Sequence, residues 1–203
     1  MQINDYADSR FKNLKKVLKT WTKLNRQFFI QSHDAPWWYN ERADISVLSA
    51  AAWVAGGLAL EEFSTKKGRG QSRRSGRCDL YINLRNSEFA CEVKRTLITL
   101  TKSSSTNLKY IKESLKTACK DAGILGRDEG RRFGVCFAAV CLPKKSALKC
   151  DVKLRELQDE IISANFDAIA WSFPREARKL SDDSHSYWQK YLFPGSILVM
   201  REA

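Results

Sequence analysis

The chain has 203 residues, 43% of them hydrophobic and 29% charged, a mixture that excludes a disordered or fibrous polymer and leaves a globular protein with a core of its own. Thirty-five Lys and Arg against 23 Asp and Glu give a formal net charge of +12 and a pI of about 9.5, a balance that points to a polyanionic partner such as nucleic acid. The polar start MQINDYADSRFKNLKK has no apolar leader, and no apolar run reaches the roughly 18 residues of a membrane span, so a cytoplasmic protein with no membrane partner is expected.

Over residues 5–30, Phe11, Leu14, Leu18, Trp21 and Leu24 recur at three- and four-residue spacing, the period of an amphipathic helix. Lys12, Lys15, Lys16, Lys19 and Lys23 decorate the rest of it, either as a grip on nucleic acid or, more commonly, as a solvated outer face. Residues 1–35 are read as an N-terminal helical extension and residues 36–203 as the principal domain. Trp37, Trp38 and Tyr39 follow Pro36 and suit core or dimer packing better than a docking hot spot. Asn40 is an N-cap for a second helix running to about Ala55, closed by Gly56 and Gly57. Its inner stripe is Ile45, Leu48, Ala52 and Ala55, and one turn before Ile45 stands Glu41, a carboxylate at the start of the buried face. Complementing the helix dipole would account for Glu41 without any function.

Leu58–Ser64 reads as a strand, and the Gly- and Arg-rich stretch 65–77 reads as a basic loop. Asp79–Leu84 and Phe89–Thr96 are two more strands, followed by a helix over Asn107–Ala122. Phe133–Leu142 is a strand buried on both faces; residues 151–164 are helical, Phe166–Phe173 is a strand, and Ser196–Met200 is a last apolar segment. Six cysteines, none in a C-x-x-C pair, and only two histidines argue against structural zinc and for free thiols in a reducing compartment. The class is α/β, with a central mixed sheet of about five strands flanked by helices.

The chemistry concentrates in one hairpin. With Arg85 and Asn86 as its turn, Leu80 faces Cys91 and Ile82 faces Phe89 on the apolar face, which sets Asp79 opposite Glu92 and puts Lys94 on the side of Glu92. A slip of one residue would destroy both results together. Opposed carboxylates repel, and a divalent cation with hard-oxygen preferences such as Mg2+, or Mn2+ in its place, would relieve them. Lys94 would then orient or deprotonate an attacking water, or stabilise charge on a phosphate. The plainer alternative is a lysine bridging two acids on a solvated sheet face. Residues 64–117 hold 13 Lys and Arg against 4 Asp and Glu, so most of the excess charge surrounds this hairpin. Lys66, Lys67, Arg69, Arg73, Arg74 and Arg77 are the candidates for phosphate-backbone contacts.

The run Gly76-Arg77-Cys78-Asp79-Leu80-Tyr81-Ile82, a spacer and Cys91-Glu92-Val93-Lys94, preceded by the helix that carries Glu41, resembles the PD-(D/E)xK, or restriction-endonuclease-like, nuclease superfamily over roughly residues 38–142. The resemblance implies a restriction-endonuclease-like core, with Asp79, Glu92 and Glu41 holding magnesium and Lys94 positioning the water. It implies a metal-dependent nuclease, a DNA endonuclease acting on double-stranded DNA, in some members as a homodimer; other members have lost catalysis and only bind. Cys78 stands where the motif has proline, and Asp44, Glu61 and Glu62 compete with Glu41 as the additional acid. Glu61 and Glu62 point to opposite faces of their strand, so at most one can face the site. Tyr110 and Lys109 on the following helix are candidates to approach the phosphate.

Overall fold

The computed structural model describes residues 6–68, 74–126, 130–178 and 190–203. Its elements are β1 (Tyr6–Ser9), α1 (Lys12–Ser32), α2 (Glu41–Val54), β2 (Leu58–Lys67), β3 (Arg74–Leu84), β4 (Ser87–Thr99), α3 (Ser104–Ala122), β5 (Arg131–Pro143), α4 (Cys150–Ser163), β6 (Ala168–Ser172) and β7 (Tyr191–Glu202). The strands form one seven-stranded mixed sheet in the order β1-β6-β7-β5-β4-β3-β2. Only β4 and β5 run parallel, joined through α3 as a parallel connection requires.

Alternation along the central strands explains the layers. In β5, Phe133, Val135 and Phe137 turn to the face covered by α1 and α2, while Cys136, Ala138 and Val140 turn to the face covered by α3 and α4. Each face has its own apolar cluster, so the sheet is sandwiched between helices.

The sheet has seven strands where about five were expected. The extra ones are β1, a short strand ahead of the first helix, and β7, which extends the apolar tail segment to Tyr191–Glu202. Residues 1–35, set apart on sequence as an extension, contribute β1 to the sheet and Leu14, Val17, Leu18 and Trp21 of α1 to the same core as β5 and β7. Trp37 is fully buried, its ring centroid 6.0 Å from that of Phe29 and its Nε1 donating to the Phe193 carbonyl at 3.2 Å, so it packs as core.

The stretch 65–77, expected as a loop, is mostly a hairpin arm. β2 and β3 stay paired out to Lys67↔Arg74, with residues 69–73 outside the described residues. The arm is tied down where Gly68 N–H donates to the Ile124 carbonyl at 2.8 Å and Lys67 bridges to Leu125. Composition suggested a loop because glycine and arginine dominate it, but ladder hydrogen bonds require no particular side chains.

Candidate nuclease-like site

The β3–β4 hairpin has the expected register. Leu84 pairs with Ser87, Ile82 with Phe89 and Leu80 with Cys91, around a two-residue turn whose Arg85 takes the left-handed backbone (φ 46°). Leu80, Ile82, Phe89 and Cys91 enter the apolar cluster beneath α1 and α2, as that register demands.

The pairing stops one step short of Asp79 and Glu92. Instead of meeting Glu92 across a regular ladder, Asp79 accepts a hydrogen bond from the Val93 backbone N–H at Oδ2, 2.7 Å away. On its other side, the β2–β3 register passes from Glu61↔Leu80 to Phe63↔Cys78 and skips Glu62 and Asp79. Glu62 has φ 53°, and this rolls Phe63 onto the face of Tyr81, with ring centroids 5.5 Å apart. The register is the same on both sides of this unpaired step, so the ladder is broken locally with no residue inserted. Glu62 is drawn instead to Arg77 (3.1 Å) and Arg42 (3.3 Å).

Glu92 is 3% exposed on β4, and its Oε1 lies 2.5 Å from Lys67 Nζ at the base of the arm. The contact is an ion pair without the alignment of a hydrogen bond, and among the described residues no other donor reaches this oxygen. Burial pushes the Glu92 carboxyl above the usual carboxylate range, the Lys67 contact opposes it, and the neighbouring Asp79 charge adds to it. Lys94, half-buried on the same face, contacts Asp121 Oδ2 of α3 at 2.9 Å and donates to the Val93 carbonyl at 3.1 Å. Burial works against its charge, but Asp121, Asp79 and Glu41 outweigh it and raise its pKa. Glu41, at the first turn of α2, is raised by burial and by Asp79, against the pull of Lys94 and the Arg95 backbone N–H. Asp79, Glu92, Lys94 and Glu41 thus share one electrostatic neighbourhood.

Asp44 adjoins it through Glu41, whose charge helps to raise the Asp44 pKa. It lies 2% exposed beneath Arg95, whose Nε is 3.1 Å from its Oδ2 and whose Nη2 donates to the Trp37 carbonyl at 2.8 Å. Of the basic candidates, Lys67 is an ion-pair partner within the site, Lys66 and Arg74 are exposed on the arm, and Arg77 is held by Glu62. Arg69 and Arg73 lie outside the described residues. Asp121, which sequence reasoning missed, gives no local signal, because it reaches Lys94 only when α3 folds back over β4. Gly134 permits that approach. It pairs with Glu92, and a Cβ there would stand 2.4 Å from the Cys119 backbone nitrogen of α3.

Among the described residues no group of three or more His, Cys, Asp or Glu side chains is arranged to hold a metal ion. Asp79 and Glu92 are hard-oxygen donors of the kind magnesium takes, so the donor chemistry fits; a cation at Glu92 Oε1 would compete with the Lys67 ammonium. No family model matches the chain, and neither the curated proteins nor the solved structures give a match. No helix among the described residues is long and apolar enough to cross a membrane.

Proposed function

We propose that this protein is a metal-dependent nuclease with a restriction-endonuclease-like core, hydrolysing nucleic-acid phosphodiester bonds as a DNA endonuclease. The observation that carries the reading is the hairpin register. The pairing that buries Leu80, Ile82, Phe89 and Cys91 also gathers Asp79, Glu92 and Lys94 beside Glu41. Folding alone gives no reason to collect carboxylates there. The run of α2, β2 to β5 and α3, with an acid opening α2, agrees with the layout that the motif resemblance implies.

A magnesium ion on Asp79 and Glu92 would neutralise a bound phosphate and lower the pKa of an attacking water. Asp79 is held for that task by the Val93 N–H, which fixes one oxygen and leaves the other for a ligand. Lys94, whose surroundings favour its charged form, is suited to stabilising negative charge on the phosphate or orienting a water, and poorly suited to removing a proton. Arg74 and Lys66 on the arm are placed to hold the backbone without reading bases. A pair of such chains would cut both strands of a duplex. The six cysteines are all free, which fits a reducing, cytoplasmic setting.

A second reading, a nucleic-acid-binding subunit without catalysis, draws on one observation. Lys67 on Glu92 and Lys94 on Asp121 pair these charges without any cation. Nicking of supercoiled plasmid separates the two. Wild type is expected to cleave with magnesium or manganese, while Asp79→Ala and Lys94→Ala lose at least a hundredfold in rate. Plasmid binding with no cleavage by wild type in either metal would reject the enzyme and favour the binding subunit.

A further inference from the structure

The parallel strands β4 and β5 end side by side, and beyond their C-terminal ends opens a recess of about 350 Å³ that is separate from the carboxylate site. Its size is that of a small-ligand pocket. Three aromatic rings line it beside aliphatic groups such as Leu97 and Ile98: Tyr110 comes from α3, and Tyr191 and Phe193 come from β7. Tyr191 is 42% exposed, so its ring is open to a ligand in the recess. Thr99 and Thr101, their hydroxyls 3.0 Å apart, supply hydrogen-bonding groups. Lys102 lines the recess, donates to the Tyr110 hydroxyl at 2.8 Å, and lies 4.5 Å from the centre of that ring. Among the described residues that line the recess Lys102 is the charged one, and none is a carboxylate. Flat rings beside a cation and hydroxyls match a nucleobase and its phosphate better than an aliphatic or cationic ligand.

The recess stands at a fixed distance from the site. Tyr110 and Asp121 lie on one stripe of α3, eleven residues apart, which is about 16 Å at the helical rise. Lys94, which contacts Asp121, and Thr99 are five residues apart on β4, about 17 Å at the strand rise. The two paths agree on a span that a few nucleotides of extended strand would cover.

Resting on the nuclease reading, we propose that this recess captures an unpaired base of the substrate strand, stacked against Tyr191 and Tyr110 with Lys102 on the adjoining phosphate, and so sets the cut a few nucleotides away. The substrate class is then a single strand or a duplex with an unpaired segment. A fully paired duplex would first have to release a base.

A single-stranded DNA oligonucleotide carrying 2-aminopurine, titrated in EDTA, reports capture without cleavage. Wild type is expected to quench the fluorophore, Tyr191→Phe to quench it equally, and Tyr191→Ala to bind about 5- to 150-fold more weakly, the range for losing one stacked base. Lys102→Ala is expected to bind more weakly and with a shallower salt dependence. All three changes lie at the rim, and unchanged melting temperatures would show that the fold persists. No quenching by wild type, or equal affinity in Tyr191→Ala, would overturn the proposal. Magnesium-dependent cleavage of the same oligonucleotide is scored separately. Quenching that depends on Tyr191, with no cleavage, would uphold capture and reject the nuclease reading; cleavage at the same positions by wild type and Tyr191→Ala would do the reverse.

Discussion

Asp44 sits beneath the Arg95 guanidinium with its carboxylate nearly sealed from water. Burial pushes its pKa up to about 7 from an ordinary value of 3.8, against the opposing charge of Arg95. A raised carboxyl pKa means that the folded chain holds a proton more tightly than the unfolded chain. The stabilisation is therefore full below about pH 4 and is lost as pH rises through about 7. Asp44→Asn removes the titrating group and keeps an acceptor for Arg95. Its melting temperature is expected to fall less than that of wild type between about pH 4 and 7. Parallel curves for the two proteins would show that Arg95 keeps Asp44 ionised throughout. The same burial sets Asp44 apart from Glu41. Sequence spacing put both acids on the first turn of α2, but only Glu41 comes near Lys94 and Asp79. Buried Cys78, Cys136 and Cys150 are each pushed up to about 12, so they act as small apolar groups and not as nucleophiles.

α3 is held against the sheet at Gly134, where a methyl group would meet the Cys119 nitrogen at 2.4 Å. Helix backbone cannot yield as a flexible side chain would. Gly134→Ala is therefore expected to destabilise the protein by about 1–3 kcal/mol, read as a lower urea midpoint, because overpacking displaces neighbours. It should also weaken the Lys94–Asp121 contact, since α3 carries Asp121. An unchanged midpoint would mean that α3 sits more loosely than its contacts suggest. Elements with a strong period were legible in the sequence. The α2 stripe, the hairpin turn at Arg85–Asn86 and the doubly buried β5 all lie where patterning puts them. β1 was missed because four residues carry no measurable alternation, and the arm because its pairing is a backbone property. The site was legible as a register and not as a geometry. Alternation brought Asp79, Glu92 and Lys94 together, but the break in pairing at Glu62 and the salt bridges to Lys67 and Asp121 depend on contacts distant in sequence.

The excess of positive charge belongs to the molecule as a whole. Partners that neutralise it must release counterions, so affinity for DNA is expected to fall steeply with salt, by about a thousandfold between 50 and 200 mM if some six phosphates are contacted. A filter-binding titration across that range measures the slope, and an affinity indifferent to salt would show that the net charge of +12 takes no part in binding. The strand order has a consequence of another kind. β7 lies between β5 and β6, and β1 reaches the rest of the sheet only through β6. α1 can pack on α2 and β5 early, yet β1 and β6 join the ladder of β2–β5 only when residues 191–202 have been made. Until then the edges of β5 and β6 that β7 will pair have no strand between them, a state lasting seconds at ordinary rates of synthesis and open to chaperones throughout. Translation thus delivers the keystone strand last.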